Sequence, residues 1–126
     1  MSASPLNLDL ATWTEPLVGD IVTNAYARLM QDERAASVLS RFHILLWRNA
    51  IAEHEQADAS RRELYRIAKR FNVTDTDVRE IDMQVIAELM HVISRRFRRS
   101  PEQTRDCGME MLRVACWLTE GRDAAA

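Results

Sequence analysis

Glycine and proline are missing from the long middle of this chain. Neither residue occurs between Asp20 and Ser100, and the three glycines and three prolines of the sequence all lie nearer its two ends. The tight turns of a β-rich fold need residues that accept positive φ, above all glycine, and a glycine-rich phosphate-binding loop needs several of them. The chain has 126 residues, enough for one domain. We therefore predict an all-α fold, a single bundle of five main helices.

The first predicted helix is amphipathic. It begins after Thr14, a candidate N-cap, and carries Pro16 in its first turn, where the missing N–H is tolerated. Apolar residues then recur every three or four positions as far as Leu29. A shorter helical turn is predicted over Leu8–Trp13. We assign residues 8–121 to one helical domain and predict that residues 1–7 and 122–126 are disordered ends.

The second predicted helix, Glu33–Ala57, carries apolar residues in nearly every direction around its axis. The polar strip is narrow and holds Arg41, Arg48 and Glu55. A helix that is apolar on almost all sides is normally enclosed by other helices. The pattern therefore predicts a long apolar helix at the centre of the domain.

Capping residues divide the remainder of the chain into three helices. Ser60 is a candidate N-cap for a short helix over residues 61–71, and the segment 72–77 is rich in capping side chains that introduce a long helix ending near Arg99. Ser100 followed by Pro101 opens the last helix, and Gly121 is placed to end it. The long helix is expected to bury one stripe of apolar residues: Met83, Ile86, Met90, Ile93 and Phe97.

The charge balance and the cysteines restrict the class of protein. Lysine and arginine number 17 against 19 acidic residues, and proteins that bind a nucleic-acid backbone usually carry a clear positive excess. We expect no nucleic-acid partner. No apolar run is long enough to cross a membrane and the first ten residues do not resemble a signal peptide, so we expect a cytoplasmic protein with no membrane partner. Cys107 and Cys116 have the spacing of neither a local disulfide nor a metal pair and are interpreted as buried thiols.

Histidines are the first candidates for a ligand-binding role. His43 and His54 lie on nearly the same side of the predicted central helix, beside Trp47. Eleven residues separate them, about 16 Å along a helix, so they cannot share one metal ion. Either histidine can face a pocket, or it can be a core residue with its hydrogen bonds satisfied.

The sequence predicts no metal centre and no catalytic apparatus. Glu88 and His91 form the single Glu-x-x-His unit of the chain, whereas a di-iron bundle needs two such units and further inward-facing glutamates. This unit is predicted to point into solvent. Because the sequence also lacks a nucleophile elbow, a zinc-protease motif and a Walker loop, we expect a protein that is not an enzyme.

Two features are candidate surfaces for partners. Arg95, Arg96, Arg98 and Arg99 stand together at the end of the long helix, where they either interact with the helix dipole and solvent or bind an anionic partner. Trp117 is predicted to lie on the polar face of the last helix, and tryptophan is enriched at interface cores. We therefore expect a homodimer, or a signalling protein partner, bound through the last two helices.

Two segments of the chain resemble bacterial globins. The segment from Leu17 to Arg34, which reads as an apolar pair, then Tyr-Ala-Arg-Leu, then an acidic turn, is similar to helix B of that family. The run Ala68-Lys-Arg-Phe-Asn-Val73, followed by a capped long helix, resembles the passage from helix F to helix G in protoglobins and globin-coupled sensors. The resemblance covers residues 14–119, and it implies a globin-like bundle in a bacterial sensor or signalling protein.

The resemblance also implies which residues line a ligand pocket. Where the family has its haem-binding histidine this chain has Ala68, and no histidine occurs between Ala57 and Leu89. The similarity is therefore greatest to the haem-less sensor globins. It implies a regulatory domain that has no cofactor and that binds either a small apolar ligand or a protein. The pocket is expected to be lined by His43, Trp47, Tyr65 and Ala68. Two alternatives remain: a gas-sensing haem globin that uses His43 or His54, and a helical adaptor without a pocket.

Overall fold

The chain folds into five α-helices. The computed structural model describes the backbone of residues 5–52 and 54–121 and the side chains of these residues from Thr14 onward. This part of the chain contains no β-strand, so the predicted all-α fold and the number of helices are confirmed. The helices are α1 (Pro5–Leu29), α2 (Glu33–Ile51), α3 (Gln56–Arg70), α4 (Asp75–Arg96) and α5 (Pro101–Glu120).

Helix α1 is longer than its sequence predicts. The expected start after Thr14 is wrong, because one helix runs from Pro5 to Leu29 with Pro16 inside it. Thr14 is fully buried within the helix instead of capping it. An interior proline costs a helix about 3 kcal/mol. Burial of residues such as Val18 and Val22 offsets that cost, and helix propensity, which is a local property, does not include this tertiary packing. Disorder was predicted for residues 1–7 and 122–126. Residues 5–7 instead form the first residues of α1, while residues 1–4 and 122–126 lie outside the described residues.

Helix α2 is shorter and more amphipathic than predicted. It ends at Ile51, with Ala52 as its C-cap, and so does not reach Ala57. Val38 and Leu45 are 38% and 41% exposed, so the helix is not enclosed on all sides. One side of the helix is buried. Apolar residues also occur on its flanks, and for this reason the sequence predicted that nearly the whole helix surface is buried. Asp32 caps the helix by accepting hydrogen bonds from the N–H groups of residues 34 and 35.

The caps of the last two helices follow the sequence, whereas that of α3 does not. Ser60 lies within α3, where its Oγ accepts a hydrogen bond of 2.8 Å from the Asn49 side chain. Thr74 forms a reciprocal capping box with Asp77 at the start of α4. Ser100 caps α5 and Gly121, at φ 70°, ends it in the left-handed conformation. Side-chain caps are local interactions, which is why the sequence locates them well.

The buried face of α4 differs from the predicted stripe. Met83 is 63% exposed and Ile86, Met90 and Phe97 are only partly buried. The predicted stripe did not include Asp82, whose side chain is buried in the core, so the buried face lies at a different angle around the helix axis. The residues that α4 buries are Val78, Ile81, Asp82, Val85, Leu89 and Ile93.

Helices α2 and α4 do not pack directly on each other. Helix α2 packs against α1, α3 and α5, and α4 packs against the same three helices. No Cα atom of α2 comes within 8 Å of one in α4, so only long side chains connect the two. None of the described helices combines the length and apolar character that crossing a bilayer requires.

Candidate functional site

Polar side chains from three helices meet inside the apolar core. Tyr26 of α1, His43 and Trp47 of α2 and Asp82 of α4 form what we call the buried cluster. The Tyr26 hydroxyl lies 2.7 Å from His43 Nδ1, and His43 Nε2 lies 2.5 Å from Asp82 Oδ1. The Trp47 indole N–H donates to the same Asp82 oxygen over 2.9 Å. The cluster therefore joins the two helices whose backbones are far apart.

Helical spacing explains how α2 supplies two members of the cluster. His43 and Trp47 are four residues apart, and side chains at i and i+4 lie one above the other on the same face of a helix. Both therefore reach the single carboxylate of Asp82. The ring of Tyr26 meets that of His43 edge-on at a centroid distance of 5.6 Å and closes the cluster from α1.

The surroundings of Tyr26 keep its hydroxyl protonated. Burial, reinforced by the negative charge of Asp82, raises the pKa of Tyr26 far above its ordinary value. The phenol keeps its proton and can donate it to His43 Nδ1. The other ring nitrogen, Nε2, lies against the Asp82 oxygen that also accepts the Trp47 N–H. Tyrosine, histidine and aspartate therefore form one continuous chain of hydrogen bonds across the core.

Solvent does not reach the buried cluster. Tyr26, His43 and Trp47 are 0% exposed and Asp82 is 3% exposed. Asp82 Oδ2 is buried with no hydrogen-bond partner, although a buried carboxylate normally pairs both of its oxygens. In this conformation the cluster fixes the relative positions of α1, α2 and α4, and no substrate can reach its atoms.

The geometry of the histidines does not fit a haem iron. Both ring nitrogens of His43 are engaged, so a metal ion would have to displace either Tyr26 or Asp82. His54 was predicted to lie on the central helix. It is instead exposed in the break between α2 and α3, where its Nδ1 accepts a hydrogen bond from the Gln56 N–H. The two candidate ligands therefore do not face a common pocket. Among the described residues no group of three or more potential ligands is placed to hold a metal ion.

The structure separates the other residues of the expected pocket. Ala68 is fully buried in the core, whereas Tyr65 is half-buried and lines a polar trough at the surface. A cavity of about 40 Å³ adjoins Trp47. Sites for small organic ligands are typically about 300–1,000 Å³, so this space is too small for one.

A second buried polar contact joins α5 to the end of α2. Arg113 is 8% exposed, and its guanidinium donates to the carbonyl oxygens of Ala50 and Ile51 over 3.3 and 3.4 Å. These carbonyls belong to the last turn of α2, where the carbonyl oxygens have no N–H group four residues further along the helix to bind. Glu110 balances the charge at 3.0 Å. Arg113 is one turn before Trp117, on the side of α5 that was predicted to be polar, but here this side faces α2.

Trp117 accordingly lies in a different environment from the one predicted. It is half-buried and packs against the core, and its indole N–H is buried without an acceptor. Among the described residues the most exposed large apolar side chains are instead Met109 and Leu112 on α5, 62% and 55% exposed, and Met83 on α4. Cys116 is half-buried and Cys107 is buried, so the expectation of two buried thiols holds only for Cys107.

The arginines at the end of α4 are exposed as expected. Arg95 and Arg96 form its last turn, while Arg98 and Arg99 follow in the connection to α5. The Arg96 guanidinium lies 5.8 Å from the centre of the Phe97 ring. Glu88 and His91 are also exposed, as predicted for a unit that points into solvent.

Comparison of the chain with protein-family models, with curated proteins and with solved structures finds no match. The function of this chain is therefore inferred from its own geometry. That geometry includes three residues that the sequence analysis missed, Tyr26, Asp82 and Arg113. Only Asp82 left a signal, because it is a charged residue within an apolar pattern of helical spacing.

Proposed function

We propose that this chain is a non-catalytic regulatory domain of globin-like arrangement that acts through protein contacts, first of all with a second copy of itself. The observation that carries the proposal is the apolar surface formed by Met83, Met109 and Leu112, which we call the α4–α5 face. Each of these side chains is more than half exposed. Contiguous exposed apolar surface is typical of interaction sites, and methionine is enriched in them.

The packing of α4 on α5 places this apolar surface on one side of the molecule. The two helices are joined by a short connection and run antiparallel, and Gly108 of α5 sits against Met90 of α4. Counting seven residues away from that contact in opposite directions brings Met83 to the level of Ala115, about one helical turn beyond Leu112. We infer that the exposed side chains of the two helices belong to one surface.

The charges of α4 favour a second copy as the occupant. Its first turn contains Asp75 and Asp77, and its last turn contains Arg95 and Arg96. Antiparallel packing of α4 on the α4 of a second copy brings acidic ends next to basic ends, twice by symmetry. Arg98 and Arg99 extend the basic end, so the arginines expected to form an interface keep that role in the proposal. The centre of the interface moves from Trp117 to the α4–α5 face.

Protein contact is favoured over a small apolar ligand because the core is closed where the pocket was expected. The buried cluster occupies the space around His43, and the cavity beside Trp47 holds little more than water. A haem-binding globin and an adaptor that binds a different protein are the alternatives that the experiments below distinguish. A bacterial, cytoplasmic signalling context is part of the same proposal.

Sedimentation velocity of a charge-inserting variant tests the proposal. We expect the unmodified protein to sediment as a dimer at micromolar concentration and Leu112→Glu to sediment as a folded monomer, since a charge at the centre of an apolar interface loses its hydration. The matched control is Leu45→Glu, because Leu45 is 41% exposed on α2 and lies outside the face. It should remain a dimer. A monomeric unmodified protein, or equal dissociation of both variants, contradicts the proposal.

A further inference from the structure

Five basic side chains converge on one surface trough where α3 meets α4 and α5. Arg61, Arg62, Arg66 and Lys69 come from α3 and Arg79 comes from α4. The trough has a volume of about 380 Å³, and Tyr65, Asp75 and Thr119 complete its lining. We call it the basic trough. Its concentration of positive charge contrasts with the formal net charge of −2 for the whole chain.

Nearby carboxylates neutralise only part of this charge. Asp58 pairs with both Arg61 and Arg62, at 2.8 and 3.1 Å, and Glu63 pairs with Arg66. Two carboxylates thus pair with three guanidinium groups, which leaves an excess of positive charge. The Nε atom of Arg61 is also buried without an acceptor.

The last two cations have no carboxylate partner among the described residues. Lys69 lines the trough without an ion pair, and Arg79 lines it together with Tyr65. Burial raises the pKa of Tyr65, which keeps this phenol neutral, and the nearby Arg79 acts in the opposite direction. Asp75 is the one acidic residue in the lining. The trough thus offers several donors and a net positive charge to any anion that enters it.

The geometry points to a binding site for a small molecule that carries a phosphate or pyrophosphate group. Arginine presents a rigid fork of N–H donors that matches phosphate oxygens, and Lys69 adds a point charge. The volume lies within the usual range for small-molecule sites. The Tyr65 hydroxyl, half-buried beside Arg79, supplies a neutral donor that distinguishes this concave site from a flat basic surface.

Isothermal titration calorimetry with inorganic pyrophosphate at low salt tests the assignment. We expect the unmodified protein to bind, and Arg62→Gln/Arg79→Gln to bind at least about tenfold more weakly, the loss expected for one or more charge-assisted hydrogen bonds. Arg62 and Arg79 are exposed, so this variant should fold normally. The control is Arg28→Gln/Arg34→Gln, which removes the same charge from exposed positions on α1 and just after the start of α2. It should bind pyrophosphate like the unmodified protein.

Three results would overturn the assignment. One is the absence of any heat of binding with pyrophosphate up to about 10 mM, a weak affinity for a phosphate site. Another is equal weakening in the trough variant and the control, which indicates attraction to overall charge. The third comes from phosphatidylcholine vesicles with about one third phosphatidylglycerol: if these capture the protein through the same arginines while free pyrophosphate does not, the ligand is a lipid headgroup.

Discussion

Removal of the Asp82 carboxylate is the most direct test of the buried cluster. In Asp82→Ala, the N–H groups of His43 and Trp47 lose their common acceptor, now 2.5 and 2.9 Å away, in a core that water does not reach. A buried donor left without a partner costs about 1–3 kcal/mol. Relief of the unpartnered Oδ2 atom offsets part of the loss. Because two donors lose their acceptor, we expect the free energy of unfolding to fall by about 4 kcal/mol.

Chemical denaturation followed by far-ultraviolet circular dichroism measures this loss. For a domain of this size about 4 kcal/mol corresponds to roughly 15 °C in Tm. Asp82→Asn retains an oxygen acceptor for the two donors and should lose less than half as much. Asp20→Ala is the control, because Asp20 is an exposed aspartate of α1. It should change the free energy of unfolding by less than about 0.5 kcal/mol.

A double-mutant cycle shows whether the loss comes from the hydrogen bond itself. Trp47→Phe keeps an aromatic ring but removes the indole N–H that donates to Asp82. Because the two residues share one contact, we expect a coupling energy of about 1 kcal/mol or more between the two substitutions. If Asp82→Ala is no more destabilising than Asp20→Ala, or if the coupling energy is zero, the cluster does not hold the helices together and the argument is refuted.

Further predictions follow from the other buried groups. Tyr26→Phe should cost about 1 kcal/mol at neutral pH. Because burial raises the pKa of Tyr26, the native state keeps a proton that the unfolded chain releases above about pH 10. The free energy of unfolding of the unmodified protein therefore falls as the pH rises through this range, and that of the variant falls less steeply. Chemical denaturation at a series of pH values measures both slopes. Arg113→Met should lower the free energy of unfolding by about 2 kcal/mol, since the carbonyl oxygens of Ala50 and Ile51 lose their donor. Protein expressed with a haem precursor should show no Soret band, because both nitrogens of His43 are already engaged.

Each of these predictions has an outcome that contradicts it. For Tyr26, it is an alkaline stability curve of the same slope in variant and unmodified protein. For Arg113, it is a loss no larger than that of Arg105→Met, a matched change at an exposed position on α5. A Soret band that His43→Ala abolishes would establish the haem-globin alternative and remove the proposal of a closed core.

Local features of the sequence were sufficient to predict the helices and several of their ends. The capping box of Thr74 and Asp77 and the C-terminal Gly121 lie where the sequence places them. Each is a contact between residues a few positions apart, so no other part of the chain is needed to form it. The start of α1 was mispredicted because packing outweighs the preference of Pro16 for a first turn.

Only part of the buried cluster could be predicted from the sequence. His43 and Trp47 were singled out together because they share a helix face. Their partners Tyr26 and Asp82 are separated from His43 by 17 and 39 residues, and nothing local indicates that the three meet. The predicted buried face of α4 included Met83 and left out Asp82, because an apolar pattern alone does not indicate that a carboxylate is buried.

The absence of glycine and proline from Asp20 to Ser100 determined by itself that the chain is helical. It did so because backbone freedom is a local property that each residue carries with it. Only the tertiary structure decided which polar side chains are buried: Asp82 and Arg113 enter the core because donors and acceptors from distant helices meet them there. The energy of a buried charge depends on those partners, and the partners are brought together by folding alone.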